Sequence, residues 1–585
     1  MINFLKKDFI PHLIYCSMVL IVCALNPSLA QSENQSENKT LSSKSVPYHS
    51  NSQLGQYLLG QHAIVIGDID TALRALDLAL SQDPNNGNLL KSLLNLSLQK
   101  SDFDKALTYA KKLQKLSIPS DIGNLLLALK EFKSNNPTKS LEFLKSKGDT
   151  KFIEKISPFL QTWINIDKSK DKKNLYLDLE QKLLSFNSVN DKKEDDEFIP
   201  FQLGLLADVL NQNDQAYDYY GKFLKFMKQP PVRMIEIIGN FYQRYNKTNE
   251  AEELYKKATT LNPQSLMAAT FKKRLAGGKN IDPVITNAQE GLAETLFYLA
   301  ALLSVTNNNQ EASVIMAELS LFIKPQVAHT QFLLGELFRS QELYNEALKY
   351  YRSVGSNSIF STVSQISTAQ ILDKMGKTDE AIALLEKFLN TNPGEIDVAM
   401  VLGEILSNQK LYQQAINAYN KAISQINTPL IGHWNIFYAR GIAYERNKQW
   451  DKAEEDLQKA LVLNPEEPLI LNYLGYSWVD RGENLDKALA MLKKAVELDP
   501  NNGYIIDSLG WAFFRLKNWE EATKYLEKAT ELSPSDPTIN DHLGDAYWKA
   551  SRLNEAKFQW QRALLFKPEN DQIVLIQKKL QEGIK

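Results

Sequence analysis

Residues 503–534 read GYIIDSLGWAFFRLKNWEEATKYLEKATELSP, and this stretch decides the fold class of the chain. Its apolar residues recur at spacings of three and four in two successive runs, which predicts two amphipathic helices. Gly510, Ala522 and Ala529 are small because two helices would cross there and larger side chains would force them apart. Pro534 would then stop the second helix. The stretch therefore predicts a pair of helices that ends at a proline.

Similar phrases recur along the chain with a fixed period. Prolines close four of them at spacings of 35, 34 and 34 residues: Pro465, Pro500, Pro534 and Pro568. Glycines mark the same rhythm at spacings of 34, 35 and 34 residues: Gly441, Gly475, Gly510 and Gly544. This pattern resembles the tetratricopeptide repeat, whose units must stack because one helix pair cannot bury its own apolar face. We therefore predict an all-α superhelical solenoid of about 14 helix pairs.

The quality of the pattern varies along the chain. It assigns tetratricopeptide repeats to residues 54–145 and 201–585. Residues 146–200 fit worst because their charge density is high, and we expect a degenerate helical region with a solvated loop at 187–197. The repeat pattern is also interrupted at Gly277-Gly278.

The composition argues against nucleic-acid binding and against a disulfide framework. The 585 residues include 67 Lys and Arg against 69 Asp and Glu, which gives a net charge of −2. Binding to a phosphate backbone needs clustered positive charge, so we predict no nucleic-acid partner. Two cysteines cannot form a disulfide framework.

The first thirty residues have the features of a secretory signal. Lys6 and Lys7 precede an apolar run over residues 13–25, and small residues stand at Ser28 and Ala30. A run of about 13 residues covers about 20 Å, which is short for a hydrocarbon core of about 30 Å. We therefore expect cleavage after Ala30 and a periplasmic location, and we expect the polar residues 31–53 to form a disordered tether.

Two alternatives for the N-terminus remain. Residues 20–23 resemble a bacterial lipobox, so the chain could be an outer-membrane lipoprotein held through Cys23, although Val22 stands where that motif has a small residue. A cytoplasmic scaffold that keeps Met1 is the other alternative. Because Cys16 and Cys23 both lie within residues 1–30, a chain cleaved after Ala30 would contain no cysteine.

Short motifs that suggest chemistry have structural explanations. Gly376-Lys377-Thr378 resembles the end of a phosphate-binding loop, but Ile371 stands where that motif needs glycine. Ser97 and Lys100 match the serine–lysine spacing of penicillin-binding enzymes without its supporting elements. The histidines form no local metal-ligand pair. We predict no catalytic residue, no cofactor and no metal site, and hence no enzyme.

A binding surface is predicted on the first helix of each repeat, which lines the concave side of such stacks. With the repeat glycine as position eight, the residues at positions two, five, nine and twelve would face this groove. In the last repeats they are Tyr438, Asn472, Tyr476, Tyr504, Asp507, Trp511, Asp541, Asp545 and Trp548. Aromatic rings beside hydrogen-bonding groups suit a bound peptide. Packing between repeats is the alternative for Trp511 and Trp548.

Residues 471–568 carry a more specific resemblance. The phrases L-G-Y at 474–476, D-S-L-G-W at 507–511 and H-L-G-D at 542–545 resemble the outer-membrane lipoprotein adaptors of carboxy-terminal processing proteases. The resemblance implies a scaffold that presents envelope proteins, including peptidoglycan hydrolases, to a periplasmic serine protease. It assigns no contact residues.

Two functions follow as hypotheses. The first is a non-enzymatic adaptor of the bacterial cell envelope whose partners are other proteins or peptides, with a possible membrane tether at its N-terminus. The second is a glycan- or peptidoglycan-handling subunit, or an outer-membrane assembly factor, with a site in the concave groove.

Overall fold

A computed structural model describes most of the chain. The described residues are 52–150, 152–166, 171–188, 198–227, 230–259, 266–278, 281–305 and 310–584. The predicted signal sequence lies outside them, as do the tether up to residue 51 and the loop predicted at 187–197 from residue 189 onward. The chain divides into two compact units, 1–398 and 399–585, which are described separately.

The described residues of the N-terminal unit form nineteen helices and the start of a twentieth. They are α1 Gln53–Val65, α2 Ile69–Gln82, α3 Gly87–Gln99, α4 Phe103–Lys115, α5 Asp121–Lys133, α6 Pro137–Lys145, α7 Phe152–Asn165, α8 Lys172–Ser188, α9 Phe198–Val209, α10 Asn213–Phe226, α11 Val232–Arg244, α12 Thr248–Thr259, α13 Leu266–Ala276, α14 Ala288–Ser304, α15 Gln310–Ile323, α16 Ala328–Ser340, α17 Tyr344–Ser353, α18 Ser361–Lys374, α19 Thr378–Thr391 and α20 Ile396–Asn408.

The C-terminal unit holds the rest of α20 and ten further helices. They are α21 Tyr412–Ile423, α22 Trp434–Arg446, α23 Trp450–Leu463, α24 Pro468–Arg481, α25 Leu485–Leu498, α26 Gly503–Arg515, α27 Trp519–Leu532, α28 Pro537–Lys549, α29 Leu553–Leu565 and α30 Asn570–Glu582. Among the described residues the helices form fourteen successive pairs, with α13 and α30 outside them. This confirms the predicted all-α solenoid of about 14 helix pairs.

The two helices of most pairs are joined by the same tight turn. One residue of the turn adopts a left-handed conformation, for example Ser101, Asn246, Lys517 and Ser551, with φ between 59° and 62°. Gly376 occupies the same place with φ of 76°. The Gly-Lys-Thr phrase therefore belongs to a turn between α18 and α19, where glycine adopts a positive φ without strain.

In the C-terminal unit the pairs pack in chain order, and small residues set their spacing. A Cβ added to Gly510 would lie 2.7 Å from Leu526, and one added to Gly544 would lie 2.5 Å from Trp560. Ala522 is fully buried at the crossing of α26 and α27. The single helix α30 packs on α29.

In the N-terminal unit the chain also packs around a central helix, α14. Its residues from Gly291 to Ala300 are buried on all sides, which is typical of a core helix. The indole of Trp163 on α7 lies against Gly291 and donates a hydrogen bond to Thr295 Oγ1 at 3.0 Å. Thr295 in turn donates to Gln202 on α9 at 2.8 Å. Helices that are distant in sequence thus meet on α14.

The first repeats of this unit contact the seventh and eighth. The ring centroids of Phe103 and Phe322 are 4.9 Å apart. Ser101 Oγ donates to Glu318 on α15 at 3.2 Å and lies 2.8 Å from the hydroxyl of Tyr350 on α17. These residues are 217 and 249 positions apart in sequence. The N-terminal unit is therefore wrapped back on itself, an arrangement that the period of 34 does not predict.

Candidate protein-binding surface

The first helices of the last repeats lie side by side, which builds one continuous surface. α24 contacts α26, and α26 contacts α28, in addition to the contacts that each helix makes within its own pair. Side-chain caps fix where these helices begin. Asn502 accepts from the backbone of Tyr504 and Ile505, and Asp536 accepts from Thr538 and Ile539. Successive repeats thus present equivalent positions in register.

The predicted residues of α22 and α24 are half-buried. The ring of Tyr438 lies 5.9 Å from Trp434 and 5.8 Å from Tyr473. Within the described part of the chain, the buried Oδ1 of Asn472 has no hydrogen-bond partner. Burial, followed by the charge of Asp507, raises the pKa of Tyr476 to about 12, so its hydroxyl keeps its proton. This part of the surface combines aromatic area with neutral hydrogen-bonding groups.

Asp507 and Trp511 both contact His542 of the following repeat. His542 Nδ1 lies 3.1 and 3.0 Å from the two carboxylate oxygens of Asp507. The imidazole stacks on the indole of Trp511 with centroids 4.1 Å apart. Burial disfavours the charged imidazole, but Asp507, together with Asp541 and Asp545, outweighs burial and raises the pKa of His542 above its ordinary value. The three side chains therefore join α26 to α28.

Asp541, Asp545 and Trp548 contact the terminal helix. Lys579 Nζ donates to Asp541 and Asp545 at 2.8 Å each. Trp560 Nε1 also donates to Asp545, at 2.9 Å. Trp548 packs 5.4 Å from the Trp560 ring and donates its Nε1–H to the carbonyl of Ile584 at 3.0 Å. These contacts attach α30 to the last repeat.

The nine predicted residues thus differ in how they are placed. Tyr504 is 42% exposed, and Tyr438, Asn472 and Tyr476 are half-buried on the same row of first helices. Asp507 pairs with His542 of the following repeat, Asp541 and Asp545 pair with Lys579 on the terminal helix, and both tryptophans pack against a neighbouring helix. Whether the nine bind a partner stays a prediction.

Sequence reasoning did not identify the partners of the aspartates. His542 stands at position six of its repeat, and a pairing with Asp507 one repeat earlier could have been suspected from their spacing of 35 residues. Lys579 lies on α30, which has no repeat signature, so no periodic signal indicated it.

The described residues bear on metal binding, on membrane spans and on the serine–lysine motif. They include no group of three or more His, Cys, Asp or Glu side chains that could hold a metal ion. None of their helices is long and apolar enough to cross a membrane. Ser97 is fully buried in α3, and Lys100 pairs with Asp70 and Glu346, so these two do not form a serine–lysine site.

Comparison with known proteins gives three family matches. Two tetratricopeptide-repeat models match residues 57–121 and 232–265. A model described as the C-terminal domain of cilia and flagella-associated protein 70 matches residues 361–573.

Two relatives share the repeats over a limited length. The TPR repeat-containing protein PA4667 of Pseudomonas aeruginosa is 30% identical over 151 residues, 26% of this chain. The human protein O-mannosyl-transferase TMTC1 is 27% identical over 146 residues, 24% of this chain. The chain spans 25% and 16% of the lengths of these two relatives.

Solved structures of repeat proteins are similar at low identity. The APC/C hetero-tetramer Cut9–Hcn1 is 15% identical with a TM-score of 0.37, over 91% of this chain and 96% of that one. YrrB, a TPR protein with an unusual peptide-binding site, is 22% identical with a TM-score of 0.25, over 30% and 87%. The helix pairs and the family matches together identify this chain as one built from tetratricopeptide repeats, a fold that in general serves as a protein-binding scaffold.

Proposed function

We propose that the chain is a non-enzymatic scaffold that binds other proteins through the first helices of its C-terminal unit. The observation that carries the proposal is the row of aromatic side chains at Tyr438, Tyr476, Tyr504 and Trp511 on α22, α24 and α26. Such rings offer a large contact area at low entropic cost. Arg515 pairs with Asp480 at 3.2 Å between α26 and α24, and the hydroxyl of Tyr473 donates to Glu445 at 3.1 Å between α24 and α22. The row is therefore held in place before a partner arrives, which lowers the cost of binding.

The charged side chains on this surface support binding over catalysis. Asp507 is paired with His542, and Asp541 and Asp545 share Lys579. A carboxylate already held by an internal cation is poorly placed to exchange protons with a substrate. One relative is named as a transferase, but the chain spans 16% of its length, and the proposal does not extend that activity to this chain.

The finer proposal is an adaptor in the bacterial cell envelope. It would present proteins such as peptidoglycan hydrolases to a periplasmic carboxy-terminal processing protease. The phrases within residues 471–568 and the signal-like features of residues 1–30 support it. Mass spectrometry of the N-terminus tests the location. A chain that starts after Ala30, or at a lipid-modified Cys23, would support export, whereas an intact Met1 would contradict it.

Crosslinking in cells followed by affinity purification tests the scaffold itself. The informative variant is Asn472→Ala combined with Tyr504→Ala, because neither side chain contributes to the ion pairs between repeats. A matched control is Phe558→Ala on α29, which removes an aromatic ring that is 58% exposed on the second helix of its pair. We expect the double variant to lose most of the captured partner and the control to keep it.

The proteins that are recovered decide between the general scaffold and the more specific protease adaptor. Recovery of a carboxy-terminal processing protease with a cell-wall hydrolase would support the adaptor. Other partners that still depend on Asn472 and Tyr504 would support a scaffold and contradict the adaptor. Partner recovery unchanged in a folded double variant would contradict this binding surface. Turnover of peptidoglycan fragments by the purified chain would instead support the glycan-handling alternative.

A further inference from the structure

Helix α1 carries a stripe of large apolar side chains that no other described residue covers. Leu54, Tyr57, Leu58, Ile64 and Val65 are 67%, 40%, 57%, 37% and 83% exposed. At 100° per residue they lie within an arc of roughly 120° on one face of the helix. The opposite face, with the buried Gly60 and Ala63, packs against α2. The stripe is therefore an outward surface of the first repeat.

This face is the one that a preceding repeat would cover in a longer stack. Repeat stacks stay soluble because their terminal repeats normally present a polar outer side. At the C-terminal end an additional helix, α30, packs on the last pair. At the N-terminal end of the described residues, the outward side of α1 carries the apolar stripe instead of a polar side. Contiguous exposed apolar side chains at the end of a stack indicate an interaction surface.

We propose that the α1 stripe is a self-association surface on which α1 of a second copy of the chain packs. α1 contains no Asp, Glu, Lys or Arg, so two copies can face each other without like-charge repulsion. The same lack of Lys and Arg disfavours a lipid surface, since helices that lie on membranes carry basic residues on their polar face.

The segment just before α1 is poor in apolar side chains. Residues 31–51 contain four of them: Leu41, Val46, Pro47 and Tyr48. In a chain cleaved after Ala30, as the sequence predicts, this segment therefore offers fewer apolar side chains than the stripe exposes. A second copy offers an identical stripe, and pairing about a two-fold axis places the same residues on both sides of the contact.

The expected contact is small and reversible. A helix of 13 residues is about 20 Å long, and one such helix from each copy falls in the class of interfaces below about 1,200 Å². Sedimentation velocity of the chain as purified from cells, from about 1 to 100 μM, should show a shift from monomer to dimer. The chain with both Leu58→Lys and Val65→Lys should stay monomeric throughout. Val462→Lys on α23, where Val462 is 78% exposed, should dimerise like the unaltered chain.

A crosslink tests the geometry directly. Gln61 lies within the arc of the stripe, close to the place where a two-fold axis would pass. In a chain without Cys16 and Cys23, Gln61→Cys should form a disulfide-linked dimer on mild oxidation, and Val462→Cys should not. Far-UV circular dichroism checks that each variant is folded.

Three outcomes would overturn the proposal. The first is a monomer at every concentration, and the second is a dimer that survives both lysine substitutions. The third is a monomeric chain that binds vesicles of phosphatidylcholine and phosphatidylglycerol through Leu58 and Val65, which would make the stripe a membrane contact. None of these readouts depends on the row of aromatic side chains in the C-terminal unit, so this proposal and the proposed function fail separately.

Discussion

The two units use the same helix pair in different ways. In the C-terminal unit the side-chain contacts reach the next repeat, as between His542 and Asp507, 35 residues apart. In the N-terminal unit Ser101 meets Tyr350 across 249 residues, and a buried helix joins pairs from distant parts of the chain. One local pattern thus yields a one-dimensional stack in one unit and a wrapped core in the other. The difference lies in the contacts between repeats, and it has consequences for stability.

A buried ion-pair cluster in the N-terminal unit also joins helices that are distant in sequence. In the N-terminal unit, Arg233 on α11 donates to Glu294 on α14 at 2.7 Å, and the carboxylate is 2% exposed. His329 on α16 lies 3.3 Å from the same carboxylate. One carboxylate thus holds three helices that are not consecutive. Burial opposes ionisation of Glu294, but Arg233 and His329 outweigh it and lower its pKa well below the usual range.

The largest expected effect comes from breaking this ion pair. Glu294→Ala removes one of the two carboxylates that pair with the buried Arg233, leaving Glu236, and takes the carboxylate away from His329. Breaking this buried ion pair should cost about 3–5 kcal/mol of the free energy of unfolding. Because three helices share Glu294, we expect hydrogen exchange to rise in α11, α14 and α16 together. Exchange measured by mass spectrometry, with urea unfolding, reports both quantities.

A paired substitution serves as the control for that prediction. Arg233→Met with Glu294→Leu removes both charges and should recover much of the lost stability, because Glu236 keeps Arg274 as its cation and no buried charge is left unpaired. Faster exchange confined to α14 in Glu294→Ala would mean that the N-terminal unit behaves as a simple stack.

The stability of the N-terminal unit should also depend on pH through Glu318. Burial raises the pKa of Glu318 to about 7, above its ordinary 4.5, although its bonds to Tyr350 and Ser101 favour the charged form. The folded chain therefore holds this proton at pH values where the unfolded chain has released it. The stabilising effect is full below about pH 4.5 and is lost as the pH rises through 7, a change of about 3 kcal/mol.

The measurement for Glu318 is a difference between two proteins. Urea unfolding of the unaltered chain and of Glu318→Gln, compared at several pH values, cancels the contribution of other groups. The stability of the unaltered chain relative to the variant should fall between pH 4.5 and 7.5. A constant difference over that range would contradict the assignment.

The C-terminal unit should respond locally to a comparable change. Lys579→Met removes the cation shared by Asp541 and Asp545, which should cost about 2 kcal/mol for lost charged hydrogen bonds. In a stack with contacts only between neighbours, faster exchange should stay within α28, α29 and α30. Lys578→Met, at the adjacent exposed position, is the matched control and should change neither quantity. Faster exchange that reaches α22 would show coupling beyond neighbouring repeats.

The contrast explains how far the sequence could predict the structure. Gly510, Ala522 and Pro534 recur with a fixed period because they set contacts inside one helix pair, and such contacts leave a periodic signal. The contact between Ser101 and Glu318 depends on the rotation accumulated over several imperfect repeats. No single residue determines that rotation, so the sequence pattern does not show it. A partial signal did exist: residues 296–303 form an unbroken apolar run of more than two helical turns, which is typical of a buried helix.

The same reasoning applies to the candidate surface. Positions on the first helix follow from the period, so the row that contains Tyr476, Tyr504 and Trp511 could be predicted. Whether a side chain on that row is free or bonded depends on its neighbour, and the bonds of Asp507 to His542 and of Asp545 to Lys579 needed the structure. Aspartates at equivalent positions look alike in sequence but differ in what they contact.

The smallest expected effects come from two tyrosines that separate a packing role from a binding role. Tyr350 of the N-terminal unit is 5% exposed and donates its hydroxyl to Glu318, so Tyr350→Phe should cost about 1–2 kcal/mol. Tyr504 of the C-terminal unit is 42% exposed, and Tyr504→Ala should change stability by less than about 0.5 kcal/mol. Thermal unfolding measures both, and partner capture in cells should decline for Tyr504→Ala alone. If Tyr504→Ala unfolded the last repeats, the aromatic row would be a packing surface, because a ring that serves binding is not needed by the folded stack.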